Sequence, residues 1–238
     1  MLDNILTYDI KWRDDIYNEI FNLEEYKYEN IVVEKGDVVI DLGANIGVFS
    51  LYALSKNAKI IYAFEPIKEY AELYKKNLIN CPVVIYQSAI SNHTGKAEII
   101  YNYQDNTILS KVFKDFSWEI QSNKKIEIDT MSFNDFANDL DKIDFLKVDI
   151  EGSEYDLFEN MSIENLNKIR KIGCEYHWNY ENRLNLTINK LVENNFKVYT
   201  FITSDTYKVG KLFAIKYEIL STLSKDCINI SHLIKNPD

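Results

Sequence analysis

Two of the chain's seven glycines fall within five positions in Asp41-Leu42-Gly43-Ala44-Asn45-Ile46-Gly47, directly after the apolar run Val38-Val39-Ile40. A turn lacking Cβ atoms lets a ligand approach the backbone closely. Placed between a strand and its following helix, such a turn lies at the carboxyl edge of an open α/β sheet, where ligands bind. A dinucleotide fingerprint, G-x-G-x-x-G, would seat a pyrophosphate on the helix N-terminus. Here Asn45 stands at the second glycine and the third glycine arrives one residue early, which favours a ligand without a pyrophosphate.

S-adenosylmethionine is such a ligand. Its ammonium suits Asp41, and its carboxylate suits the N–H groups of the turn that Gly43, Asn45 and Gly47 shape. The next strand ends in Ala63-Phe64-Glu65-Pro66. An acid there, roughly 20 residues beyond the glycine turn, can accept hydrogen bonds from both ribose hydroxyls. Pro66 is expected in the first turn of the following helix. Gln87, Ser88 and Ala89 close a third strand, at a position to flank an adenine.

A second group of reactive side chains lies in Lys147-Val148-Asp149-Ile150-Glu151-Gly152-Ser153-Glu154. Lys147 and Asp149, two apart in a strand, share a side. Asp149 is expected at the strand edge near the transferred methyl, with Glu151 just beyond it. Ser153 reads as a helix cap, and Glu154 suits the positive end of that helix. The strand containing Glu175 and His177 brings both to the same edge and the same side. Histidine titrates near neutrality, so His177 is the candidate for removing a hydroxyl proton. Alternatively, Asp149, Glu175 and His177 together hold Mg²⁺ or Mn²⁺, which would acidify the acceptor hydroxyl. His93 and His232 read as structural.

Hydrophobic period predicts the elements that position these groups. Strands are expected over 38–43, 59–65, 83–89, 97–103, 125–130, 144–150, 171–178, 196–202 and 212–217. Helices are expected over 46–56, 66–80, 132–140, 153–161 and 183–195, with a helical tail. An amphipathic helix over 10–28, carrying Trp12, Ile16, Ile20 and Leu23, caps the domain. Strand–helix alternation implies an α/β fold, with a mostly parallel sheet covered on both faces. The short link between the last two strands suits an antiparallel hairpin. Residues 104–124 read as a substrate-facing loop.

The whole chain, 238 residues, fits one domain, with a helical cap over 1–30 and the main domain over 31–238. A net charge of −10 argues against nucleic acid and against an anionic membrane surface as partners. Three scattered cysteines without C-x-x-C spacing suggest neither disulfides nor a zinc site. The acidic N-terminus does not read as a signal peptide, and no apolar run approaches the ~18 residues of a membrane span, so a cytoplasmic protein is expected.

VVIDLGANIGVFSLYAL, YAFEPIKEYAELYKKNL, SAISNHTGKAEI and DFLKVDIEGSEYDLFE together resemble the successive signatures of FkbM-family methyltransferases, over about residues 30–202. The pairing of DLGANIG with LKVDIEGSE carries the specificity. The resemblance implies a Rossmann-like class I methyltransferase fold with a seven-stranded sheet. It implies S-adenosylmethionine as cofactor, held through Asp41, Gly43, Asn45, Gly47 and Glu65. It also implies O-methylation of a small molecule or saccharide. The leading helix and residues 104–124 depart from the shared pattern. Two other readings remain open on the residues alone: a nicotinamide-dependent oxidoreductase and a non-catalytic cofactor-binding module.

Overall fold

β-branched runs bounded by turns supply the strands. The computed structural model describes residues 2–102, 107–109, 123–177, 181–204 and 209–218. Val38–Leu42 (β1), Ile60–Phe64 (β2), Val83–Tyr86 (β3), Ala89–Ser91 (β4), Gly95–Asn102 (β5) and Thr107–Leu109 (β6) come first. Asn123–Ser132 (β7), Ile143–Val148 (β8), Ile169–His177 (β9), Phe196–Ser204 (β10) and Val209–Lys216 (β11) follow. The helices are Ile10–Tyr17 (α1), Val48–Ser55 (α2), Lys68–Asn77 (α3), Phe133–Ala137 (α4), Glu154–Asn160 (α5), Ile163–Asn167 (α6) and Glu181–Glu193 (α7).

The main sheet has seven strands in the order β10-β11-β9-β8-β1-β2-β3. β1 is parallel to both neighbours, β9 is parallel to β8, and β9, β11 and β10 pair antiparallel in turn. The expected fold and its closing hairpin are therefore present. Register sets Leu42 opposite both Phe64 and Val148, so Gly43, Glu65 and Asp149 leave the sheet at one level. That single edge gathers three of the predicted clusters.

Alternation in β1 explains why the sheet is covered on both sides. Val39, with Ile61 and Phe145, packs against Phe49 and Tyr52 of α2. Ile40 and Leu42, with Leu146, Val148 and Ile172, pack against Tyr155, Leu157 and Phe158 of α5 and Leu191 of α7. Strands buried on both faces are mostly apolar, as β1 is apart from Asp41 and β8 apart from Asp144 and Lys147.

Several elements differ from the sequence expectation. The leading helix stops early: α1 passes into a π-helical turn at Asn18–Asn22, and Glu24 adopts φ +49, which ends it. Trp12, Ile16 and Ile20 pack on the core, whereas Leu23 is exposed. Pro66 precedes α3 rather than lying in its first turn, the N-cap being Ile67. The run expected over 83–89 splits at a bend at Gln87 and Ser88, and β4 joins a second sheet, β4-β7-β5-β6. The strands expected over 97–103 and 125–130 are β5 and β7 of that sheet, but its separation from the main sheet, and α6, were not legible. Of 104–124, β6 and the start of β7 are described, while the rest, like the tail beyond 218, lies outside the described residues. Among the described residues, no helix is long and apolar enough to cross a membrane.

Candidate active site

The turn after β1 is held by its own surroundings. Gly43 and Gly47 have φ +73 and +94, and Asn45 shares the left-handed region at +52. A Cβ on Gly43 would stand 1.7 Å from the backbone oxygen of Asp149. The glycine is thus required by the neighbouring loop as well as by any ligand. The N–H groups of Gly43 and Ala44 donate to the Phe64 carbonyl, and that of Gly47 to Ala44. The Asn45 amide donates to Glu65 Oε2 at 2.9 Å, and the Ile46 amide to the Asn45 side chain. All five turn amides are engaged within the protein.

Glu65 is 2% exposed, and its Oε1 also accepts the Ile67 amide at 2.8 Å. It therefore clamps both the glycine turn and the start of α3. Burial pushes its carboxyl up to about 7, against the pull of those amides. Asp41 is wholly buried: Oδ2 accepts from Ser50, and Oδ1 lies 3.3 Å from the Lys147 ammonium. Gln87 is exposed and Ser88 lies beside it in the bend, its hydroxyl donating to the carbonyl of Ala89, the first residue of β4.

A cavity of about 220 Å³ opens against this edge. Gly43 and Asn45 line it, together with Lys147, Asp149, Glu151 and Glu175. Its opposite wall comes from the N-terminal segment: Trp12, Ile16, Glu19, Ile20, Glu25 and Tyr26. Asp41, Gly47, Glu65, Pro66, Gln87, Ser88, Ala89 and His177 do not line the cavity.

The acids at the ends of β8 and β9 have distinct partners. Asp149 Oδ2 accepts the Tyr26 hydroxyl at 2.8 Å and lies 3.6 Å from Lys147. Burial works against its charge, but Lys147 and Lys211 outweigh burial and hold its pKa below the usual range. Glu175 accepts from Lys211 at 2.7 Å, and Glu25 takes the same ammonium at 2.9 Å. Burial and the charge of Asp149 raise the Glu175 carboxyl. Burial and Glu25 push Glu19 to about 7.

His177 sits between two carboxylates, with Nε2 3.6 Å from Glu151 and Nδ1 3.5 Å from Glu154. Burial opposes its charge, yet Glu154 and Glu151 outweigh it and lift the imidazole to about 9. Its resting form at neutral pH is the imidazolium. Burial and Asp149 push Glu151 up to about 8. Ser153, expected to cap α5, makes no capping hydrogen bond through its side chain; instead Glu154 turns back to accept the Gly152 amide at 2.9 Å. Among the described residues, no group of three or more His, Cys, Asp or Glu side chains is arranged to hold a metal ion.

Tyr26, Glu19, Glu25 and Lys211 were missed by sequence reading, and Lys147 was placed without a role. Lysines inside buried strands were the available signal: Lys147 and Lys211 are 3% and 5% exposed.

The sheet order and the turn after β1 define a Rossmann-like methyltransferase fold. The chain belongs to the FkbM methyltransferase family, whose model, described as the Methyltransferase FkbM domain, matches residues 41–233. It is 28% identical over 192 residues to Methyltransferase sdnD of Sordaria araneosa, covering 67% of this chain and 73% of that protein. It is 25% identical over 192 residues to the 31-O-demethyl-FK506 methyltransferase FkbM of Streptomyces tacrolimicus, covering 68% and 74%. The fibrillarin pre-rRNA processing protein of Methanococcus jannaschii shares the fold at a TM-score of 0.51 and 10% identity, covering 84% of this chain and 76% of that one.

Proposed function

We propose that this methyltransferase transfers a methyl group from S-adenosylmethionine to a hydroxyl of a small molecule or saccharide, in the cytoplasm and without a nucleic-acid partner. One observation carries the reading: the glycine turn of β1 and the acid-bearing ends of β8 and β9 open onto a single cavity. The donor set fits the cofactor, because Glu19, Glu25, Asp149, Glu151 and Glu175 offer oxygen acceptors to a ligand bearing ammonium and sulfonium cations. The name of the Streptomyces relative points to transfer onto oxygen.

On this reading Asp41, Gly43, Asn45 and Gly47 shape the donor side, and Glu65 accepts from the ribose hydroxyls through its remaining lone pairs. Pro66 and Gln87, Ser88 and Ala89 border the nucleoside. When bound, S-adenosylmethionine supplies a methyl already activated on sulfur. The protein then has to hold the acceptor oxygen in line, exclude water and take a proton. Positioning of this kind is worth ~7–11 kcal/mol.

Glu151 lines the cavity and titrates just above neutrality, where an acid–base group works best. We assign it the acceptor proton, with the His177 imidazolium favouring its ionised form. Asp149 and Glu175 orient the acceptor. Residues 1–30 act as a cap on a single domain spanning 31–238. Calorimetric titration with S-adenosylmethionine and with NAD(H), followed by an acceptor screen with labelled donor, tests the reading. Binding of NAD(H) alone would favour an oxidoreductase, and binding without any transfer would favour a non-catalytic module.

A further inference from the structure

Lys147 donates to the carbonyls of Leu42 at 3.1 Å and Gly43 at 2.7 Å, the two residues that begin the glycine turn. The Leu42 carbonyl also accepts the Asp149 amide at 3.1 Å. An ammonium has three hydrogens. With two committed to the turn, the third faces Asp41 Oδ1 at 3.3 Å and Asp149 Oδ2 at 3.6 Å, both beyond a good hydrogen bond.

A second buried lysine shows what a purely structural one looks like. Lys171, 1% exposed, meets Val32 O at 2.7 Å, Glu34 at 2.7 Å and Asp37 at 3.0 Å, and it lines no part of the cavity. Its three hydrogens are all engaged at short range. Lys147 differs on both counts: it lines the cavity, and its third hydrogen is divided between two acids.

We propose that Lys147 is a positioning residue for methyl transfer, its ammonium locking the turn that shapes the donor side to the carboxylate that faces the acceptor. The proposal rests on the methyltransferase reading above. Its consequence is that the donor turn and Asp149 move together. A ligand bound against the turn alters how the third hydrogen is shared, and so alters Asp149.

Asp149 is also faced by Tyr26, Glu19 and Glu25 from the N-terminal segment. Glu151 lies beyond it in the chain, His177 and Glu175 stand on β9, and Lys211 on β11. Lys147, unlike these side chains, hydrogen-bonds the turn and also pairs with Asp149.

Calorimetry with S-adenosylhomocysteine across pH 5.5–8.5 tests the idea on wild type, Lys147→Gln, Lys147→Arg and Lys171→Gln. Lys147→Gln should weaken binding about tenfold or more and move the pH profile upward, because Asp149 loses a counter-charge. Lys147→Arg should restore most of the affinity. Lys171→Gln should melt lower yet keep wild-type affinity and profile. A folded Lys147→Gln that binds within about twofold of wild type, with an unmoved profile, would overturn the proposal. So would a Lys171→Gln defect of equal size.

If Lys147→Gln does not fold, ¹⁵N-lysine NMR on wild type decides. The Lys147 ammonium signal, identified by its loss in Lys147→Arg, should shift on adding S-adenosylhomocysteine while that of Lys171 stays in place. An unmoved Lys147 signal counts against the proposal. Failure of wild type to bind S-adenosylhomocysteine would overturn the methyltransferase reading itself, a distinguishable result.

Discussion

The hydroxyl of Tyr26 donates to Asp149 at 2.8 Å, joining the N-terminal segment to the end of β8 across a sequence separation of 123. The ring stands edge-on to Phe49, 5.3 Å between centroids, and 4.5 Å from the Lys211 ammonium. Tyr26 therefore closes the cavity from the cap side with one specific bond over an apolar base.

Tyr26→Phe keeps the ring and removes that bond. A hydrogen bond to a charged group contributes about 1.5–3 kcal/mol. The expected result is faster protease cleavage within residues 2–26, with the remainder of the domain still resistant. Equal cleavage rates in variant and wild type would mean that the bond does not hold the cap.

Glu65 should couple donor binding to protons. Its carboxyl titrates at about 7, and ribose donors would favour the ionised form, so binding near neutral pH should release a proton and strengthen as pH rises through 7. Calorimetry in two buffers of different ionisation enthalpy measures this. Glu65→Ala should weaken S-adenosylmethionine by about 1.5–3 kcal/mol. It should also lower the melting temperature, since Asn45 and Ile67 lose their acceptor. Unchanged affinity without proton release would remove Glu65 from the ribose.

Gly43→Ala should be far more damaging to the fold than Gly36→Ala. The new Cβ would press on the Asp149 carbonyl at 1.7 Å, and backbone cannot swing aside. A loss of about 4 kcal/mol or more is expected in urea unfolding, among the largest single-residue effects. Gly36, at φ +87 with nothing within 4 Å, should lose only about 1–2 kcal/mol. Similar midpoints for the two variants would contradict the interlock.

With an acceptor identified, the rate should rise with pH through about 8 as Glu151 ionises. Glu151→Gln should lower kcat by about 10²–10⁴-fold and leave donor affinity nearly unchanged. His177→Asn removes a positive neighbour, which should move the ascending limb to higher pH. An ascending limb that stays in place would separate His177 from the base. Activity in EDTA checks the alternative in which Asp149, Glu175 and His177 hold a metal.

Stability should fall from pH 6.5 to 9. The folded value of His177, about 9, lies above its ordinary 6.5. Its contribution is complete below 6.5 and disappears as pH climbs through 9. Glu65 and Glu151, raised from 4.5 to about 7 and 8, bind protons more tightly when folded, so they too subtract stability as pH rises. Melting curves over this range check the direction, and His177→Asn should flatten the upper part. A melting temperature rising toward pH 9 would contradict these environments.

The sequence showed the main sheet because β1, β2 and β8 are short, mostly apolar stretches, interrupted by Asp41 in β1 and by Asp144 and Lys147 in β8, each ended by a recognisable turn. Gly43, Glu65 and Asp149 could be brought to one edge from strand ends alone. It did not show Tyr26 or Lys211, whose roles depend on pairings across 123 and 36 positions that no local pattern encodes. The shift of His177 to about 9 was equally hidden, being set by Glu154 and Glu151 after folding. Gly43 looked like clearance for a ligand, because spacing alone does not reveal a neighbouring carbonyl. β4 was lost for a different reason: it continues the apolar run of β3 and departs only through the bend at Gln87 and Ser88.

The interlock between Gly43 and the Asp149 carbonyl has a bearing on how this enzyme can be re-engineered. Because each backbone fills the space the other leaves, the turn after β1 and the bend after β8 form one inseparable module. A chimera that imports the segment after β8 from a relative should carry that relative's glycine turn with it. Retargeting by exchange therefore has its cleanest seam elsewhere, in the N-terminal segment, which meets the same cavity and lies outside residues 41–233.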